Sequence, residues 1–106
     1  MKKIVLSLAS VLFLVSGTAM AAESLKIGFN LPLTGDIPKV GESSRHAAEM
    51  LKEDINAKGG LVVGGKKYPL NFIYEDNESK AESSVAVATR LIVEEDVLGI
   101  IGPQAS

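Results

Sequence analysis

The 106-residue chain contains no cysteine. It therefore has no thiol to pair in an oxidising compartment, and none behind its amino-terminal apolar run to carry a lipid. A membrane-spanning run is also lacking, because the apolar stretch from Ile4 to Val15 is about a dozen residues long where a span needs about 20. Histidine is nearly absent. The single one, His46, has no cysteine partner and no metal-ligand spacing around it, so it reads as a surface residue in the first turn of a helix. Nothing in the sequence calls for a metal or a cofactor. Internal repeats, low-complexity tracts and linkers are missing as well.

What stands at the amino terminus has a clear organisation. Lys2 and Lys3 precede the apolar run, and Ser16-Gly17-Thr18-Ala19-Met20-Ala21 supplies small residues with an Ala-x-Ala cleavage signal. This pattern predicts a signal peptide over residues 1–21, cleavage after Ala21 and a soluble mature product in the periplasm. Without Lys2 and Lys3 the 11 Lys and Arg fall to 9, against 13 Asp and Glu, a net charge of −4. That balance gives no footprint for nucleic acid. About 85 residues remain, at the low end for one domain, so the core is expected to be marginal.

Hydrophobic patterning predicts strand, helix, strand, helix, strand. Leu25, Ile27, Phe29 and Leu31 alternate, and Gly28 among them allows a neighbour to approach closely. From about Glu42 to Lys58, residues Ala47, Ala48, Leu51 and Ile55 fall on one helical face, and Gly59-Gly60 ends the helix. Leu61 to Tyr68 reads as a small hairpin turning at Gly64-Gly65, leading into a strand over about Pro69 to Glu75. Ser79 and Glu82 form a capping-box signature for a second helix whose buried stripe is expected at Ala81, Val85, Ala88 and Ile92. Val97 to Ile101 is a third strand, apolar enough to be covered on both faces.

Strands alternating with helices imply an α/β fold, a parallel-sheet βαβαβ unit with right-handed crossovers. With the strands ordered second, first, third, a crevice opens at the carboxyl ends of the first and third strands, where open α/β sheets hold ligands. The loops Pro32 to Gly41 and Gly102 to Ser106 meet there. They carry hydroxyls at Thr34, Ser43, Ser44 and Ser106, and glycines at 35, 41 and 102 that let main-chain donors come close. Every earlier strand is followed by a helix and none follows Ser106, so the chain reads as the front piece of a larger binding protein.

Gly28-Phe29-Asn30-Leu31-Pro32-Leu33-Thr34-Gly35 followed by Gly41, then Asp54-Ile55-Asn56-Ala57-Lys58-Gly59-Gly60, Tyr74-Glu75-Asp76 and Ile100-Ile101-Gly102-Pro103 closely resemble the leucine/isoleucine/valine-binding family of periplasmic solute-binding proteins. The resemblance covers essentially all of residues 22–106 and about the first quarter of such a protein. It implies a type I periplasmic binding protein fold, of which residues 22–106 would form the first part of the amino-terminal lobe, with the second lobe absent. The implied function is the non-enzymatic solute-binding component of an ABC importer for branched-chain amino acids or related small carboxylate or amide solutes, with a membrane permease as partner. A ligand-sensing ectodomain of a receptor or regulator would use the same lobe. In the family, the loop after the third strand grips the solute carboxylate through a serine hydroxyl and main-chain amides; the matching residues are Gln104, Ala105 and Ser106. An aromatic residue often stands over the solute, and its position here is Val40, which departs from the pattern behind branched-chain preference.

Catalytic readings fare poorly beside this one. Gly60 to Lys66 fits the spacing of a phosphate loop, but Lys67 occupies the Ser or Thr position and Tyr68-Pro69 opens a strand rather than a helix. Glu75-Asp76 would suit a phosphoryl-accepting cluster, yet Asn30 and Leu31 at the end of the first strand are uncharged. Ser106 lacks a nucleophile elbow and an activating base. Asn77-Glu78-Ser79 matches a glycosylation sequon and is read instead as part of the helix cap.

Overall fold

A computed structural model describes residues 23–104 of the chain; the expected signal peptide, Ala105 and Ser106 lie outside the described residues. The elements run β1 (Leu25–Leu31), α1 (Pro38–Ala57), β2 (Leu61–Val63), β3 (Lys66–Tyr68), β4 (Leu70–Asp76), α2 (Ala81–Val93) and β5 (Gly99–Ile101). β4, β1 and β5 form a parallel sheet in that order, which is the order that the expected crevice requires. β2 and β3 make a separate antiparallel hairpin. Its turn places Gly64 and Gly65 at φ of 58° and 78°, the left-handed region that a two-residue turn of this kind requires.

Alternation along β1 assigns the two helices to opposite faces of the sheet. Phe29 and Leu31 are buried with Ala48 of α1, and Ile27, Phe72 and Tyr74 pack around them. Gly28 and Asn30 face α2 instead: a Cβ on Gly28 would come within 2.9 Å of the Leu91 side chain, and Asn30 Nδ2 donates to the Ser84 carbonyl at 3.0 Å. Gly28 thus performs the role read from the sequence, and the neighbour it admits is Leu91.

α1 begins four residues earlier than its periodicity indicates. Pro38 sits at its start, where a missing N–H costs nothing and the ring presets φ, so a proline that reads as loop is in fact the first helical residue. The Pro32 to Gly41 loop is correspondingly short, and His46 lies well inside α1, exposed and 4.0 Å from Glu42. At its other end, Gly60 N–H returns to the Ile55 carbonyl at 3.0 Å. Asn56 then fastens α1 to the sheet, donating from Nδ2 to the Leu70 carbonyl at 2.9 Å and accepting the Leu70 N–H at 2.8 Å.

The expected buried stripes are corrected in both helices. In α1, Ala48 is buried and Ile55 half-buried, but Ala47 and Leu51 are exposed. In α2 the fully buried residues are Val87 and Leu91, while Val85 and Ile92 are exposed by 67% and 61%. Small residues line much of α2, so a stripe of Ala and Val can be drawn on more than one face, and the helix turns the longer Leu91 toward Gly28. Ser79 is not the helix cap either. Lys80 takes that position, and Ser79, at φ 58°, donates its hydroxyl to the Thr34 carbonyl at 2.8 Å. Nor is β5 covered on both faces: among the described residues Gly99 and Ile101 are exposed and β5 pairs only with β1.

Candidate functional site

The carboxyl ends of β1 and β5 and the first turns of α1 border an open hollow of about 460 Å³, lined by Phe29, Leu31, Ser44, Ala47, Ile101, Gly102, Pro103 and Gln104. It lies at the switch between β1 and β5, where the strand order predicts a ligand crevice. A larger hollow of about 580 Å³ opens at the opposite ends of the strands, among Leu25, Lys26, Tyr68 and Asp96, away from both crevice loops.

Of the sequence-predicted contacts, Gln104 is half-buried in the hollow and accepts the Ser44 hydroxyl at Oε1, 2.7 Å away. Val40, in the first turn of α1, is 42% exposed and stands one turn before Ser44; it is not part of the hollow's lining. Ala105 and Ser106 lie outside the described residues. Gly102 has φ 110°, and a Cβ there would collide with the Asn30 carbonyl; its lack of a side chain lets the β5 loop lie against the end of β1.

Two other crevice candidates turn out to be structural. Gly41 is buried inside α1, and a Cβ on it would collide with the Pro32 carbonyl, so it seats the helix on the end of β1 rather than exposing donors. Thr34 is held by Asp76: its hydroxyl donates to Oδ2 at 2.6 Å and its N–H to Oδ1 at 3.1 Å. The N–H groups of Leu33 and Glu78 also donate to Oδ1, at 2.9 and 2.8 Å. Asp76, read from the sequence as part of a family motif and as a failed catalytic acid, is therefore the clasp that ties the loop after β1 to the loop after β4. A buried pair sits behind it. Asn77 Nδ2 donates to Asn30 Oδ1 at 3.0 Å, and Asn77 Oδ1 accepts the Ser79 N–H at 2.9 Å. The Asn77 side chain is thus committed to the interior, which sets aside both the sequon and the capping reading. The sequence signal for this buried pair was the polar Asn30 inside an apolar alternating strand, since a fully buried amide must find partners.

Burial works to raise the Asp76 pKa, but the Thr34 hydroxyl and the Glu78, Thr34 and Leu33 amides outweigh it and hold the carboxyl below its ordinary value. A carboxylate depressed on folding stabilises the native state fully above its unfolded value of about 3.9 and loses that contribution as pH falls through the folded value. Asp76→Asn should therefore cost about 2 kcal/mol at pH 7, and the deficit relative to wild type should shrink below about pH 4. Urea melts across pH 2.5 to 7 check this; a deficit independent of pH would refute the charge assignment.

A parallel α/β unit with a hollow at its switch point is an arrangement in which open α/β sheets hold ligands, and comparison with known proteins gives it a family. The profile described as "Periplasmic binding protein" matches residues 24–106. The chain belongs to the periplasmic binding protein family. It is 36% identical over 97 residues to Leu/Ile/Val-binding protein homolog 7 of Brucella suis, covering 92% of this chain and 23% of the relative. It is 33% identical over 82 residues to the amino acid binding protein of Pseudomonas aeruginosa, covering 77% and 21%. Among solved structures, the branched-chain amino acid transporter substrate-binding protein LivJ of Streptococcus pneumoniae, in complex with isoleucine, superposes with a TM-score of 0.68 at 28% identity, over 76% of this chain and 22% of that one. The leucine-binding protein LivK of Thermotoga maritima gives a TM-score of 0.61 at 28% identity, over 77% and 21%. The chain spans less than a quarter of the length of these proteins.

Proposed function

We propose that the protein is the non-enzymatic solute-binding component of an ABC importer, taking amino acids or related small carboxylate or amide solutes in the periplasm and delivering them to a membrane permease. In this reading residues 1–21 are the signal peptide and residues 22–106 contribute the first part of the amino-terminal lobe. The observation that carries the proposal is the hollow between β1, β5 and α1. It lies at the topological switch point, and its rim is formed by the loop whose residues match the solute-gripping loop of the family. Gln104, Ala105 and Ser106 are the proposed carboxylate contacts, and Val40 stands where relatives often place an aromatic ring over the solute.

Closure of a second lobe over this surface would exclude water, and hydrogen bonds to the solute carboxylate strengthen as screening falls. Isothermal titration calorimetry on the complete gene product should find binding of a branched-chain or related amino acid. Ser106→Ala should weaken it by about 10-fold to 150-fold, the loss of one hydrogen bond to a charged group. The intact mass of the exported protein should correspond to a chain beginning at Ala22. Absence of heat with every one of the twenty amino acids, or an unchanged affinity in Ser106→Ala, would overturn the assignment of the crevice.

A further inference from the structure

We infer that Ser44 is a positioning residue for solute binding: its hydroxyl holds the Gln104 side chain, so that the loop after β5 presents a fixed amide donor to a carboxylate-bearing solute. This rests on the solute-binding function proposed above and assigns a specific role to a residue that does not itself grip the solute in that reading.

The two residues are 60 positions apart and joined by one short hydrogen bond, from Ser44 Oγ to Gln104 Oε1 at 2.7 Å. One end of that bond is well anchored. α1 is seated on β1 through Gly41 against Pro32 and fastened to β4 by the paired hydrogen bonds of Asn56. The other end is weakly held. No backbone hydrogen bond outside the sheet joins Gly102, Pro103 or Gln104 to another described residue, so the Ser44 contact is a principal restraint on that loop.

The chemistry follows from the amide. With one of its two Oε1 lone pairs taken by the serine hydroxyl, Gln104 has two N–H donors and a single acceptor position left, so it is chiefly a donor. Phe29, Leu31, Ala47 and Ile101 make the rest of the hollow largely apolar, and a polar group fixed in such a setting recognises a complementary acceptor without the entropy cost of ordering a free side chain. A carboxylate suits two N–H donors; an ammonium does not.

The test is a set of variants in the complete gene product, titrated by calorimetry with each of the twenty amino acids at 1 mM and then, for those that bind, over a full isotherm. Ser44→Ala should weaken binding by about tenfold with a melting temperature within about 3 °C of wild type. Ser44→Thr, which keeps the hydroxyl, should restore affinity. Gln104→Ala should lose as much as Ser44→Ala, and the double variant should be no worse than either single one, because the two act as one unit. Gln104→Glu should be the weakest of the set, since it sets one carboxylate against another. In solute-free protein, the Gln104 side-chain amide resonances should narrow in Ser44→Ala as the restraint is lost. A wild-type protein that binds no amino acid would remove the functional reading and this inference with it. A wild type that binds, with Ser44→Ala unaltered or with additive losses in the double variant, would remove this inference alone.

Discussion

Gly102→Ala should destabilise the chain by about 3 kcal/mol or more, lowering its melting temperature by on the order of 15 °C. Two effects coincide at this position. Its φ of 110° belongs to a region that residues with a Cβ rarely adopt, and the added carbon would run into the main-chain carbonyl of Asn30. Backbone on both sides leaves no flexible side chain to yield. Relief would require the β5 loop to lift from the end of β1, which would also open the hollow beside Gln104. Gly64→Ala is the control: it shares positive φ, but nothing lies within 4 Å of the new carbon, so its cost should stay near 1 kcal/mol. Thermal melts by circular dichroism compare the two. Equal losses would mean that conformational strain alone, without the collision, accounts for the effect.

Leu91→Ala should cost about 3 kcal/mol, within the range of roughly 2 to 5 for such truncations in a packed core. Leu91 is fully buried against Gly28, which has no side chain to move into the space left behind. For a small domain this is a large share of the total stability, and the variant should be substantially unfolded at 37 °C. Leu51→Ala, by contrast, removes a side chain that is 57% exposed and should change stability by less than about 0.5 kcal/mol. Urea denaturation of this chain measures both. The pair discriminates sharply, because hydrophobic periodicity alone puts Leu51 in the core, whereas the tertiary structure puts Leu91 there. Comparable losses for the two leucines would contradict the observed orientation of α1.

The arrangement also gives the small-residue loops distinct tasks. Asp76 closes the corner between the loops after β1 and β4 with four hydrogen bonds, leaving the loop after β5 as the more lightly held rim of the crevice. The proposed solute-binding role would benefit from that division. The rigid corner keeps β1 and α1 in place, while the rim carries the groups proposed to meet the solute.

By itself the sequence determined the order of the elements, the hairpin turn at Gly64-Gly65 and the parallel sheet; that β1 is its central strand, which puts the hollow between β1 and β5, is settled by the tertiary structure. The order, the turn and the sheet follow from local signals: period-2 alternation in β1, glycines where only glycine fits, and the chirality of crossovers. The resemblance to a solute-binding family was legible for the same reason, since its motifs sit at strand ends and turns. Only the tertiary structure decided which helical face is buried, because Ala47, Ala48, Leu51, Val85, Val87 and Leu91 are all apolar and their burial depends on what packs opposite. It also decided that Thr34 and Asp76 are partners, 42 residues apart, and that Ser44 meets Gln104 across 60. A side chain's hydrogen-bonding capacity is written in the sequence. Which distant group satisfies it depends on the register in which β1, β4 and β5 align, and that is set only when the sheet and its two helices pack together.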